Sequence, residues 1–242
     1  MKKIILFLIF SGIVFGATQI PTVNLSLTAP DSPKQLVTTL NVMLVLTLLV
    51  LAPSIVLVAT SFVRLLVVFG FLRQALGTPQ SPPTTLLVSL SLVLTFFIME
   101  PYAKQAYNNG IKPYMEEKIG YEEAIKRAVK PFKNFMIKNT REKDLALFFR
   151  IRHLPNPKTV DDVPLSILVP AFMISELKTA FEIGFLIFLP FLIIDMVVSA
   201  ILMSLGMMML PPVMISLPFK LLLFILVDGW NLIVMGLVQS FH

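Results

Sequence analysis

The sequence predicts an all-α membrane protein, with two helical hairpins of broken, kinked helices flanking a small exported helical domain. Three observations predict it. The 242-residue chain is 56% hydrophobic and only 14% charged, against about a quarter charged in soluble proteins, and its mean hydropathy is +0.85. Apolar residues dominate 36–99 and 165–242, in runs long enough for spanning helices of about 20 residues. The intervening stretch 100–164 holds 13 of the 20 Lys and Arg and 9 of the 14 acidic residues, so polar structure is concentrated between two apolar regions. The chain has no cysteine and only His153 and His242 as histidines. Disulfides and thiol chemistry are excluded, too few ligands remain for a zinc site, and no metal or cofactor is expected.

Residues 1–17 read as a cleaved signal peptide, with Lys2 and Lys3 as the basic start, Ile4 to Val14 as the apolar core, and Gly16 and Ala17 as the small-residue exit. The alternative is a retained short anchor, although about 14 residues fall short of the roughly 20 that a spanning helix needs. Cleavage leaves 18–35, with Pro21, Pro30 and Pro33, as an extended exported segment. Residues 36–99 form the first hairpin. Its inward arm is too long for one straight crossing, and Pro53 is its one strong breaker. Arg64 in that arm must face a partner, backbone carbonyls or water, or else snorkel to the interface near Arg73. Gly77, Pro79, Pro82 and Pro83 make the inner loop, and Leu86 to Met99 return outward.

The charged stretch 100–164 reads as a small helical domain outside the membrane. Ile125, Ala128, Val129, Phe132 and Met136 recur at helical spacing behind Glu122 and Glu123. Thr140 fits the N-cap of a second helix carrying Leu145, Phe148, Phe149 and Ile151. Two such helices bury little core, so their apolar stripes are expected to meet a neighbouring copy or subunit. The positive surplus reads as a solvated exported face, and no nucleic acid is expected as partner. Counting from a cleaved N-terminus places this domain outside. The positive-inside rule points the other way, but it weakens for loops near 60 residues, and the signal peptide decides.

Residues 165–242 form the second hairpin. Between its arms Gly206, Pro211 and Pro212 stop the helix and act as the hinge of a turn that presents Met207, Met208 and Met209. Glu176, Lys178, Glu182, Asp195, Lys220 and Asp228 lie in or beside the apolar helices, where ionisable groups face a partner or a water-filled path. Lys178 and Glu182 are four apart and share a helix face. Asp195 lies thirteen residues before Met208 and Lys220 twelve after it, so antiparallel arms bring both to a similar height, roughly 18 Å from the turn. Asp195 is the expected partner of Lys220 within one chain; Glu176 of a neighbouring copy is the alternative.

The stretches Pro170-Ala-Phe-Met-Ile-Ser-Glu176-Leu-Lys178-Thr-Ala-Phe-Glu182-Ile-Gly-Phe185 and Pro190-Phe-Leu-Ile-Ile-Asp195-Met-Val-Val-Ser199 resemble the paired motifs of the FliP family. These are export-gate proteins of the flagellar type III system, related to the SctR proteins of virulence type III secretion. The resemblance extends through Gly206 to Pro212, Leu217-Pro-Phe-Lys220 and Leu226-Val-Asp228-Gly-Trp230, and covers nearly the whole chain.

It implies a multi-pass bacterial inner-membrane protein at the flagellar basal body, with 100–164 in the periplasm. It further implies a homo-oligomer of about five copies in a ring-like assembly with FliQ and FliR, and with FlhB and FliO as further partners. That assembly passes unfolded flagellar export substrates outward, with Met207, Met208 and Met209 as a deformable gasket and no covalent chemistry. The equivalent subunit of a virulence system is the first alternative. A secondary transporter, or an intramembrane aspartyl protease using Asp195 and Asp228, comes from other classes. No inverted repeat supports the transporter, and Asp228-Gly229-Trp230 lacks a Gly-x-Gly-Asp context for the protease.

Overall fold

The computed structural model describes residues 33–241 apart from Pro79, Asn156, Lys158 and Met208, so the signal peptide read at 1–17 and most of 18–35 lie outside the described residues. Every regular element among the described residues is helical. In order they are α1 (Pro33–Val58), α2 (Phe62–Ala75), α3 (Thr84–Ala106), a π-helical turn (Tyr107–Ile111), α4 (Lys112–Met115), α5 (Tyr121–Lys138), α6 (Glu142–Ile151), a short 3-10 turn (Val160–Asp162), α7 (Leu165–Ser204), α8 (Pro212–Leu226) and α9 (Gly229–Gln239). The chain divides into one unit up to Val50 and a second from Leu51 onward. The described part of the first unit is the opening of α1, where Thr47 satisfies its hydroxyl by donating to the Met43 carbonyl at 2.8 Å.

The inward arm breaks at Ala59 to Ser61 rather than at Pro53, through which α1 continues. Thr60 donates its Oγ1 to the Leu57 carbonyl at 3.0 Å, and such competition for backbone acceptors bends or ends a helix. The outward helix does not stop at Met99, because α3 runs through Pro101 to Ala106.

Helices α2 and α7 lie side by side and run parallel, since partners rise together in number: Arg64 meets Glu176, and Phe71 meets Phe181 and then Phe188. Leu65, Val68, Phe69 and Leu72 of α2 and Ile167, Leu168 and Phe172 of α7 are almost fully buried. Each such side chain contributes about 1.5–3 kcal/mol. They form this core because both helices are apolar on the face they share.

The charged region folds onto this core. Phe135 of α5 meets Tyr102 of α3 at 5.0 Å, Phe172 of α7 at 5.9 Å and Phe241 at 5.9 Å. Phe135 and Met136 are buried, whereas Ile125 is exposed. Of the stripes expected to meet a neighbouring copy, Met136 and Phe149 are buried in this chain's own core and Phe132, Leu145 and Phe148 pack against it, whereas Ile125 and Ile151 stay exposed. Thr140 is not the N-cap of α6 either. Its Oγ1 bonds back to the Met136 carbonyl at 2.6 Å, Arg141 occupies the N-cap position, and the Arg141 amide donates to Ser175 Oγ at 3.1 Å. The first free amide before α6 is thus met by a serine from α7.

Two helical stretches among the described residues, Thr84–Met115 and α7, are long and apolar enough to cross a membrane, and α8 with α9 make a third if that bent pair is one span. At 40 residues, α7 is ~60 Å long, about twice the hydrocarbon thickness of a bilayer. Part of it must therefore lie beyond the hydrocarbon or among protein neighbours.

Candidate functional site

The turn between α7 and α8 is built by a glycine cap and two prolines. Gly206 takes φ 74; its amide donates to Met203 O at 3.1 Å and that of Met207 to Leu202 O at 2.9 Å. This pair of bonds closes a helix only when the residue after the cap is left-handed, which glycine adopts without strain. Pro211 is the N-cap of α8 and Pro212 its first residue, where a missing amide hydrogen costs nothing. Met207 is 40% and Met209 97% exposed; Met208 lies outside the described residues. The loop after α2 has the same architecture, with Gly77 at φ 76 and bonds from Gly77 to Gln74 O and from Thr78 to Arg73 O.

Lys220 joins this turn to the rest of the second unit. It is buried, and its ammonium donates to Asp195 Oδ2 at 2.7 Å and to the Ala75 carbonyl at 3.1 Å. Ala75 is the last residue of α2, so the cation also meets the negative end of that helix dipole. Ser216 donates to the other carboxylate oxygen of Asp195 at 2.5 Å. One lysine therefore ties α2, α7 and α8 together near both hairpin loops.

Glu176 is not with Lys220. It is fully buried and takes both Nε, at 2.8 Å, and Nη2 of Arg64 from the same chain. Arg64 also donates Nη1 to the Ser240 carbonyl at 3.0 Å and to Ser240 Oγ at 2.9 Å, and Nη2 to Asn139 Oδ1 at 3.3 Å. Its guanidinium carbon sits 3.8 Å above the Phe241 ring. The sequence left Arg64 either facing a partner, backbone carbonyls or water, or snorkelling to the interface, and did not name this cluster. A fork of five donors inside an apolar helix asks for a buried carboxylate, and Glu176 was the available one.

The remaining charges stand apart. Lys178 and Glu182 pair at 3.4 Å on the exposed side of α7, with 45% and 61% of their side chains open. Lys143 of α6 is held below the ordinary lysine value chiefly by its contact with Lys178. Asp144 receives Ser175 Oγ at 2.6 Å and Arg141 Nε at 2.8 Å. Burial pushes its carboxyl up, but these donors outweigh it and leave the carboxyl below its usual value. Asp228 has φ 50 and begins α9 at a 64° bend from α8, with Asn231 Nδ2 donating to it at 3.1 Å. A Cβ on the next residue, Gly229, would fall 2.3 Å from the Phe224 ring, so the bend needs glycine there. Asp195 and Asp228 keep separate partners.

Comparison with known proteins gives a consistent picture. A family model described as the FliP family matches residues 45–237. The chain is 53% identical over 211 residues to the flagellar biosynthetic protein FliP of Bacillus subtilis (strain 168), covering 87% of this chain and 96% of that protein. It is 54% identical over 197 residues to that of Caulobacter vibrioides, with 81% and 74% covered. With that of Aquifex aeolicus it shares 47% identity over 245 residues and 100% of both chains.

Proposed function

The chain belongs to the FliP family, and from that premise we propose that it is a pore-forming subunit of the flagellar type III protein export gate. In this reading it sits in the bacterial inner membrane at the flagellar basal body, with 100–164 in the periplasm. Several copies join FliQ and FliR, with FlhB and FliO as further partners, to let unfolded flagellar proteins pass. The observation that carries the reading is the methionine turn: Met209 is 97% exposed on a loop whose following helix is pinned by the ion pair of buried Lys220 with Asp195. Unbranched thioethers repack around irregular partners, so a ring of such turns would seal against ions and part for a polypeptide. Covalent chemistry is no part of this reading.

The test replaces Met207, Met208 and Met209 together by Ala in the assembled complex. Complex recovery should be normal while membrane potential dyes report an ion leak several-fold above wild type. An unchanged ion barrier would sink the gasket.

A further inference from the structure

Residues 212–241 form an arm whose first helix follows the methionine turn. Its charged contacts with the α2–α7 core lie at two points. One is Lys220, bonded to Asp195 and Ala75. The other is Ser240, whose hydroxyl and carbonyl both accept from Arg64. Between these points the arm bends by 64°, and an open apolar groove of ≈ 560 Å³, lined by Pro190, Phe191, Leu223, Leu232 and Gly236 among others, separates part of it from α7. Trp230 bridges the bend, with its ring 5.6 Å from Phe224 and 6.4 Å from Phe69. Beyond α9, Phe241 is only 3% exposed, stacked on Phe135 and covered by the Arg64 guanidinium.

We infer that Ser240 and Phe241 are positioning residues, the second anchor of the arm, holding the methionine turn in place through α9. The buried Arg64 fork is shared among Glu176, Asn139 and Ser240, so the arm supplies two of the acceptors of a buried cation. Removing Phe241 opens that cation to solvent, and a fork bonded to water no longer fixes where α9 ends. At the bend Phe224 packs against Gly229 and Trp230, and through these contacts a displacement of α9 reaches α8 and so the turn. Ser240 and Phe241 then act on the gate without touching whatever passes through it.

The inference rests on the gate reading for its functional half, and the test separates the two. In the assembled complex, Ser240→Ala and Phe241→Ala are compared with wild type by hydrogen exchange of the α9 amides and by ion leak. Phe241→Ala should speed α9 exchange about tenfold while α6 keeps its protection, with a several-fold rise in ion leak. Ser240→Ala, which removes one acceptor and leaves the core filled, should move both readouts in the same direction by about threefold. Unchanged α9 exchange in both variants overturns the anchor, as does faster α9 exchange behind an intact ion barrier when the triple methionine variant does leak. A triple methionine variant that does not leak, beside fast α9 exchange in Phe241→Ala, refutes the gasket and leaves the anchor standing as a structural contact.

Discussion

Arg64 and Lys220 are both buried cations on apolar helices, yet they are held in different ways. Arg64 is 3% and Glu176 0% exposed, and the guanidinium spends its donors on a carboxylate, an amide oxygen, a hydroxyl and a carbonyl drawn from three parts of the chain. Lys220 is a point charge with two acceptors, and its carboxylate partner keeps 28% of its side chain open. The arginine site is closed on every side and joins the charged region to the hairpins. The lysine site is open only on its carboxylate side and lies beside the two loops.

The largest expected effect is at the closed site. Arg64→Ala leaves Glu176 buried without a partner, which costs about 3–5 kcal/mol. Thermal unfolding of the purified complex should show it, together with poor recovery. If Arg64→Ala proves no worse than Lys220→Ala, the contrast drawn above is wrong.

Lys220→Ala should cost less, about 1–3 kcal/mol, because Asp195 keeps the Ser216 hydroxyl and access to water. Its measurable consequence is weaker assembly, read as the fraction of chain recovered in the complex. Normal recovery would argue against any structural role for the pair.

Asp144 gives the smallest effect, about 1 kcal/mol, and one that depends on pH. Its folded-state carboxyl lies below the usual value, so its stabilisation is complete above the unfolded value of about 3.9. It is lost as pH falls through the lower folded value. Melting followed between pH 6 and 3 should converge for wild type and Asp144→Asn at the acid end, and parallel curves would remove the assignment.

Much of the fold was legible because hydropathy and breakers act locally. The membrane class, the two hairpins and the glycine–proline turn at 206–212 follow from residues that decide backbone conformation where they stand. Asp195 was matched to Lys220 by counting equal distances from that turn, which works because an α-helix rises evenly. The break in the first arm was not legible: Pro53 is a strong breaker by type, yet the helix ends near Thr60, whose hydroxyl bonds back to the Leu57 carbonyl, a contact that composition does not announce. Thr140 failed as a cap for a related reason. Its hydroxyl found an acceptor one turn back, and the N-cap position passed to Arg141, whose amide meets Ser175 from another helix.

The sequence by itself determined that the chain is helical, that it enters a membrane, and that a methionine turn interrupts its second hairpin, because apolar content, glycine and proline impose these without long-range information. Only the tertiary structure decided that Glu176 belongs to Arg64, that Lys220 also caps α2, and that Phe241 closes the core. These contacts join residues 112, 145 and more than 100 positions apart. At such separations spacing along the chain carries no signal, and the choice of partner is set by which helices pack and by the cost of leaving a buried charge unpaired.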